Sequence, residues 1–113
     1  MLLLDGKTAV VTGGSSGIGR GIARGFAEHG AKAVVVADVR EEPKEGGPPT
    51  HELLEEETDA SSVFVECDVT NRSDLTEALE AAEAAGRIDV MVNNAGIWRA
   101  EEFFDVTEES YQR

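Results

Sequence analysis

One stretch near the start of the chain has the residue types and spacing to hold an anion: Val10-Val11-Thr12-Gly13-Gly14-Ser15-Ser16-Gly17-Ile18-Gly19. An apolar run ends in glycines and then opens into a helical pattern. Strand, tight turn and helix N-terminus is the arrangement that receives a phosphate. The first N–H groups of a helix are unpaired and carry partial positive charge, and glycines let the anion come close to the backbone. The flanking residues narrow the choice of ligand. The phosphate loop of nucleotide triphosphatases requires G-x-x-x-x-G-K-[ST]. Gly14 to Gly19 has that glycine spacing, but Arg20-Gly21 follows, with no hydroxyl to hold magnesium. The common G-x-G-x-x-G pattern also fails, because Gly13, Gly17 and Gly19 form G-x-x-x-G-x-G.

The elements that position this turn are legible from periodicity. Lys7 to Thr12 reads as a strand, and Thr8-Ala9-Val10-Val11 has the continuous apolar, β-branched character of a strand covered on both faces. Ile18, Ile22, Ala23, Phe26 and Ala27 recur at helical spacing, with His29 in the last turn and Gly30 as the stop. Ala33 to Ala37 is a second buried strand ending at Asp38. Arg40 to Pro49 reads as a solvated connector, broken by Pro43, Gly46, Gly47, Pro48 and Pro49. A helix is expected from about Thr50, carrying Leu53 and Leu54. Ser62 to Cys67 is a third strand ending at Asp68. Ser73 is placed to cap the next helix, in which Leu75, Ala78, Leu79 and Ala82 share a face before Gly86 stops it. Ile88 to Val92 is a fourth strand, running into Asn93-Asn94-Ala95-Gly96. Thr107-Glu108-Glu109 has the capped, acidic character of another helix start. Alternating strands and helices predict an α/β fold, a parallel sheet with helices on both faces.

Composition bounds the function. The 113 residues suit one domain with a modest core. Asp and Glu total 23 against 10 Lys and Arg, a net charge of −13, which argues against nucleic acid or an anionic membrane as a partner. No apolar run is long enough to span a membrane, and the start lacks the basic and apolar regions of a signal peptide. A cytoplasmic location is therefore expected. The single cysteine, Cys67, agrees with a reducing compartment. An acidic surface with few lysines on an ordinary core points to a halophilic organism, where concentrated salt screens the self-repulsion.

Thr12-Gly13-Gly14-Ser15-Ser16-Gly17-Ile18-Gly19 resembles the T-G-x-x-x-G-I-G signature of the short-chain dehydrogenase/reductase family. Asn93-Asn94-Ala95-Gly96 resembles its N-N-A-G motif, and Cys67-Asp68-Val69 its D-V element after the third strand. The three stand in the family's order and rough spacing, and the similarity runs from Lys7 to Arg113. The resemblance implies a Rossmann-type doubly wound parallel sheet, here the N-terminal part of one NAD(P)-binding domain over residues 1–113, truncated after about four strands. The first residues of that site agree with a reading from the chemistry. Gly13 frees the turn, Gly17 and Gly19 admit the pyrophosphate beside Ile18, and Ser15 and Ser16 can donate to phosphate oxygens or cap the helix. Asp38, 19 residues after Gly19 at a strand end, can accept the adenosine ribose hydroxyls and would repel a 2′-phosphate. That favours NAD over NADP, although Arg40, two residues on, can swing toward a phosphate. The resemblance further implies that Asp68 bonds the adenine amino group with Val69 against the ring. Asn94, Ala95 and Gly96 are expected along the cofactor's central region, and Asn93 as a tie between strands.

The same resemblance implies hydride transfer between nicotinamide and a small-molecule alcohol or ketone. The family's catalytic Ser and Tyr-x-x-x-Lys, and the Asn of the helix beginning near Thr107, have no match here. Tyr111 comes too soon after Asn93-Asn94-Ala95-Gly96, and its lysine would fall beyond Arg113. No catalytic residue and no metal ligand is therefore assigned. His29 and His51 lack metal-ligand spacing, Cys67 reads as a small buried residue, and Trp98 and Arg99 fit a loop or a substrate contact. The chain reads as the N-terminal half of an oxidoreductase, expected to be inactive alone, with a non-catalytic NAD-binding module or remnant as the alternative. An unpaired edge on the fourth strand would invite assembly, including a homo-oligomer.

Overall fold

The structure, a computed structural model, describes residues 4–94. The expectations for Ala95, Gly96, Trp98, Arg99, Tyr111 and the helix near Thr107 fall outside the described residues. The elements run β1 (Thr8–Thr12), α1 (Gly17–Glu28), β2 (Ala33–Asp38), α2 (Thr50–Glu57), β3 (Ser61–Glu66), α3 (Arg72–Ala85) and β4 (Val90–Asn93). All four strands are parallel, in the order β3-β2-β1-β4. This is the order in which a doubly wound Rossmann sheet begins, with the direction of winding reversing at β1.

Alternation along the two central strands separates the core into two faces. Val11, Val34 and Val36 pack with Ala23 and Ala27 of α1 and Leu54 of α2. On the opposite face, Val10, Val35 and Ala37 meet Leu75, Ala78 and Ala82 of α3. Every residue of β1 is buried, as are Ala33 to Ala37 of β2. Their unbroken apolar character follows from having helices on both sides. β3, at the edge, alternates between exposed and covered positions.

The helix ends have local causes. α1 closes in a Schellman arrangement: Gly30 N–H donates to Ala27 O at 3.2 Å and Ala31 N–H to Phe26 O at 3.1 Å. Gly30 supplies the required positive φ of 95°. The cap of α3 is Asn71 and not Ser73. Asp68 makes a turn with Thr70, and Asn71 N–H donates to Asp68 O at 2.8 Å. That reversal brings Asn71 to the helix mouth first, where its Oδ1 accepts from Asp74 N–H at 3.2 Å. Ser73 is already inside the helix. Ile18, in the first turn of α1, departs from the apolar stripe and is 76% exposed. Among the described residues, no helix is long and apolar enough to cross a membrane.

Leu54 is 1% exposed and joins α2 to α1 and the sheet. Leu54→Ala is expected to lower the unfolding free energy by about 2–5 kcal/mol through lost transfer energy and a cavity. Exposed Glu56→Ala on the same helix should change it by less than about 0.5 kcal/mol. Urea unfolding of the two variants beside the parent checks this.

Candidate functional site

The carboxyl ends of all four strands open into one cleft of about 960 Å³. Gly13 follows β1, Asp38 ends β2, Cys67 and Asp68 follow β3, and Asn94 follows β4. Ser16, Gly17, Val39, Arg40, Lys44, Glu45, Val69 and Thr70 complete its walls. A crevice at the strand ends, where the winding reverses, is where open α/β sheets bind ligands.

The glycine turn forms the floor. Gly13 and Gly17 have φ of 66° and 56°, values that side chains disfavour. Gly13 N–H donates to Ala37 O at 2.7 Å and ties the turn to β2. A methyl group at Gly19 would collide with the Gly13 carbonyl and lie 2.7 Å from Asn94 Nδ2. Glycine at that position therefore brings the start of α1, the end of β1 and the end of β4 together. Thr12 completes the union of β1 and β4. Its hydroxyl has one proton to share between Val92 O (3.1 Å) and Asn93 Oδ1 (3.0 Å), and it accepts from Asn94 N–H (2.9 Å). Asn93 is thus a strand tie, while Asn94 reaches the cleft.

Asp38 is fixed on both sides. Its Oδ2 accepts from Ser15 N–H at 3.0 Å and its Oδ1 from Val39 N–H at 2.7 Å. An ionised carboxylate has about four lone-pair sites, so each oxygen keeps a place for another donor. Asp68 is more committed. Its Oδ1 accepts from the Thr70 hydroxyl at 2.6 Å and from Thr70 N–H at 2.9 Å, and these bonds hold its carboxyl below the usual range. Cys67 is buried against Ala37, Leu75 and Ala78. Burial pushes its thiol up to about 11, and Asp74, Asp68 and Asp38 add to the effect. It is a packing residue and not a nucleophile.

The two serines diverge. Ser16 precedes α1 and lines the cleft. Ser15 is fully buried, does not line the cleft, and its hydroxyl has no hydrogen-bond partner among the described residues.

The connector after β2 is not simply solvated. Pro43 is buried, and Gly46 N–H donates to Pro43 O at 3.1 Å, closing a tight turn. Its tip rests on the start of α1. Lys44 N–H donates to the Ser16 hydroxyl at 2.7 Å, and Glu45 Oε2 accepts from Gly17 N–H at 3.0 Å. That N–H, helped by the Glu45 N–H and Arg20, keeps the Glu45 carboxyl below its usual range. Arg20 anchors the far end, donating to Pro48 O at 2.8 Å and Thr50 Oγ1 at 3.0 Å. Thr50 in turn donates to Gly14 O at 2.8 Å. The N–H groups at the start of α1 recruit the acidic tip, a contact between residues 28 apart that the sequence pattern did not signal.

A family model described as short chain dehydrogenase matches residues 7–113. Among curated relatives, momilactone A synthase of Oryza sativa subsp. japonica is 52% identical over 83% of this chain and 32% of its own length. L-2,3-butanediol dehydrogenase of Corynebacterium glutamicum is 43% identical over 95% of this chain and 41% of its own. The chain thus spans well under half the length of these relatives. Among solved structures, the hydroxysteroid dehydrogenase from Escherichia coli superposes with a TM-score of 0.72 at 34% identity. That match covers 85% of this chain and 39% of the other.

The crowding at Gly19 gives a paired prediction. Gly19→Ala is expected to destabilise by about 1–3 kcal/mol or more through overpacking against backbone. Gly21, two residues along α1, has no atom within 4 Å of an added methyl and no positive φ. Gly21→Ala should stabilise by about 0.5–1 kcal/mol from helix propensity. Chemical denaturation of both variants reads the contrast.

Proposed function

Because this chain belongs to the short-chain dehydrogenase family, we propose that the cleft seats a nicotinamide dinucleotide, NAD in preference to NADP. Asp38 carries this reading. Its carboxylate stands at the end of β2 in the same cleft as the glycine turn, held by two backbone donors with acceptor sites to spare. Two ribose hydroxyls can donate to those sites, whereas a 2′-phosphate would meet a like charge. Arg40 also lines the cleft, but its Nε donates to Glu42 O at 3.1 Å.

The residues present fit the rest of such a ligand. Glycine at position 19 lets the Gly13 carbonyl and Asn94 close in on the start of α1, and that helix start offers N–H groups to a pyrophosphate. Val39 and Val69 give apolar wall for an adenine ring, and Asp68 an acceptor near it. Ile18 presents an exposed apolar side chain beside the turn. Asn94, Ala95 and Gly96 are proposed to follow the cofactor toward its nicotinamide end.

When bound, the dinucleotide supplies hydride chemistry. The described residues bind and orient it. Cys67, buried and with its thiol pushed up to about 11, stays protonated at neutral pH. We propose that the whole protein is an oxidoreductase acting on an alcohol or ketone, in keeping with relatives described as dehydrogenases of butanediol and borneol. The surplus of acidic residues and the single buried cysteine favour the cytoplasm of a salt-adapted cell.

Calorimetric titration of the full-length protein tests the reading. NAD should bind more tightly than NADP. Asp38→Ala should weaken NAD by about 10-fold or more, the scale of a hydrogen bond to a charged group, and should erase the discrimination. An unchanged preference in that variant would remove Asp38 from the site.

A further inference from the structure

The turn that would receive a pyrophosphate already holds an anion supplied by the chain. Glu45 Oε2 accepts from Gly17 N–H, and the neighbouring Lys44 N–H uses the Ser16 hydroxyl as acceptor. Both contacts lie on the cleft wall. They also lie at the mouth of α1, where the partial charge of the helix favours an anion.

The connector is built to make this contact separable from the rest of the fold. Buried Pro43 holds one side of the tip, and the Arg20 bonds to Pro48 O and Thr50 Oγ1 hold the other. Between the tip and the second anchor stand Gly46 and Gly47, at φ 87° and 90°, with nothing within 4 Å of an added methyl. Consecutive glycines without packed neighbours can absorb a backbone rotation. Glu45 itself is exposed, so its release uncovers no core.

We propose that Glu45 is an internal stand-in for the cofactor's pyrophosphate, and that the strap from Pro43 to Gly47 gates the dinucleotide seat by anion exchange. The inference rests on the reading of the cleft as that seat. Entry of the dinucleotide breaks the bond from Gly17 N–H to Glu45 and gives that donor to a phosphate oxygen. The gate lowers affinity for any ligand bearing a pyrophosphate by the fraction of time it is shut. It leaves a ligand that occupies only the adenosine end unaffected.

Titrations of the full-length protein with NAD, ADP-ribose and adenosine separate these statements. Glu45→Gln keeps the shape and an acceptor but removes the charge that strengthens the closed contact. It should tighten NAD and ADP-ribose by about 3- to 10-fold and leave adenosine unchanged. Glu42→Gln makes the same charge change on the same exposed connector, away from the Gly17 N–H, and should leave all three ligands unchanged. Tightening of adenosine in step with NAD, or an equal gain from Glu42→Gln, would reduce the effect to general electrostatics and overturn the gate. NAD binding in the parent that stays the same or weakens in Glu45→Gln overturns the gate while leaving the seat intact. Failure of the parent and Glu45→Gln alike to bind NAD or ADP-ribose overturns the seat itself.

Discussion

The close approach of the Gly13 carbonyl to the Cα of Gly19 is the constraint on which the molecule turns. It lets α1 leave the end of β1 with almost no intervening chain, so that unpaired N–H groups face the crevice and not the sheet. The same approach brings Asn94 against the turn, and Thr12 locks β4 to β1 one residue earlier. Fold and cleft share these atoms. A residue with a side chain at position 19 would push apart the strand, the helix and the neighbouring strand together.

Charge places the second constraint. The cleft is lined by Asp38, Glu45 and Asp68 as well as Arg40 and Lys44, in a chain whose net charge is −13. The long-range field therefore opposes an anionic ligand, and screening by salt weakens that opposition. Short-range donors have to decide the outcome. The first N–H groups of α1 and the hydroxyl of Ser16 are such donors; the Gly17 N–H is already engaged by Glu45, whereas the Ser16 oxygen accepts from Lys44 N–H.

Elements that rest on periodicity were legible in the sequence. The apolar runs of β1 and β2 and the stripe Ile22, Ala23, Phe26 and Ala27 needed only near neighbours to define them, and Gly30 carried its own signature as a helix stop. The strand ends also placed Gly13, Asp38, Asp68 and Asn94 in one cleft, because parallel strands present their carboxyl ends on the same side. Features set by the exact path of a turn or by contacts distant in sequence were not legible. Ser73 and Asn71 are both good caps, and the bond between Asp68 and Thr70 chose between them. Ile18 fits the helical stripe by spacing, but the sheet ends before it can be covered. Ser15 and Ser16 are chemically alike, and only the path of the turn buries one and exposes the other to the cleft. The docking of Glu45 and the grip of Arg20 join residues 28 apart, which no local pattern records.

The reversal of winding at β1 also sets the order in which the molecule can be assembled during translation. β1 pairs with β2 across one short helix, whereas its other edge waits for β4, and the Thr8 N–H meets the Asp89 carboxylate across 81 residues. Loop closure over that span is slower and entropically less favourable than the local pairings. A nascent chain can therefore zip β1, β2 and β3 into a half-sheet while the second wall of the crevice is still inside the ribosome. In that interval the edge of β1 stays open to misassociation. Arrival of β4 covers that edge of β1 and completes the crevice in one event, so the pairing of β1 and the last described wall of the site are acquired together.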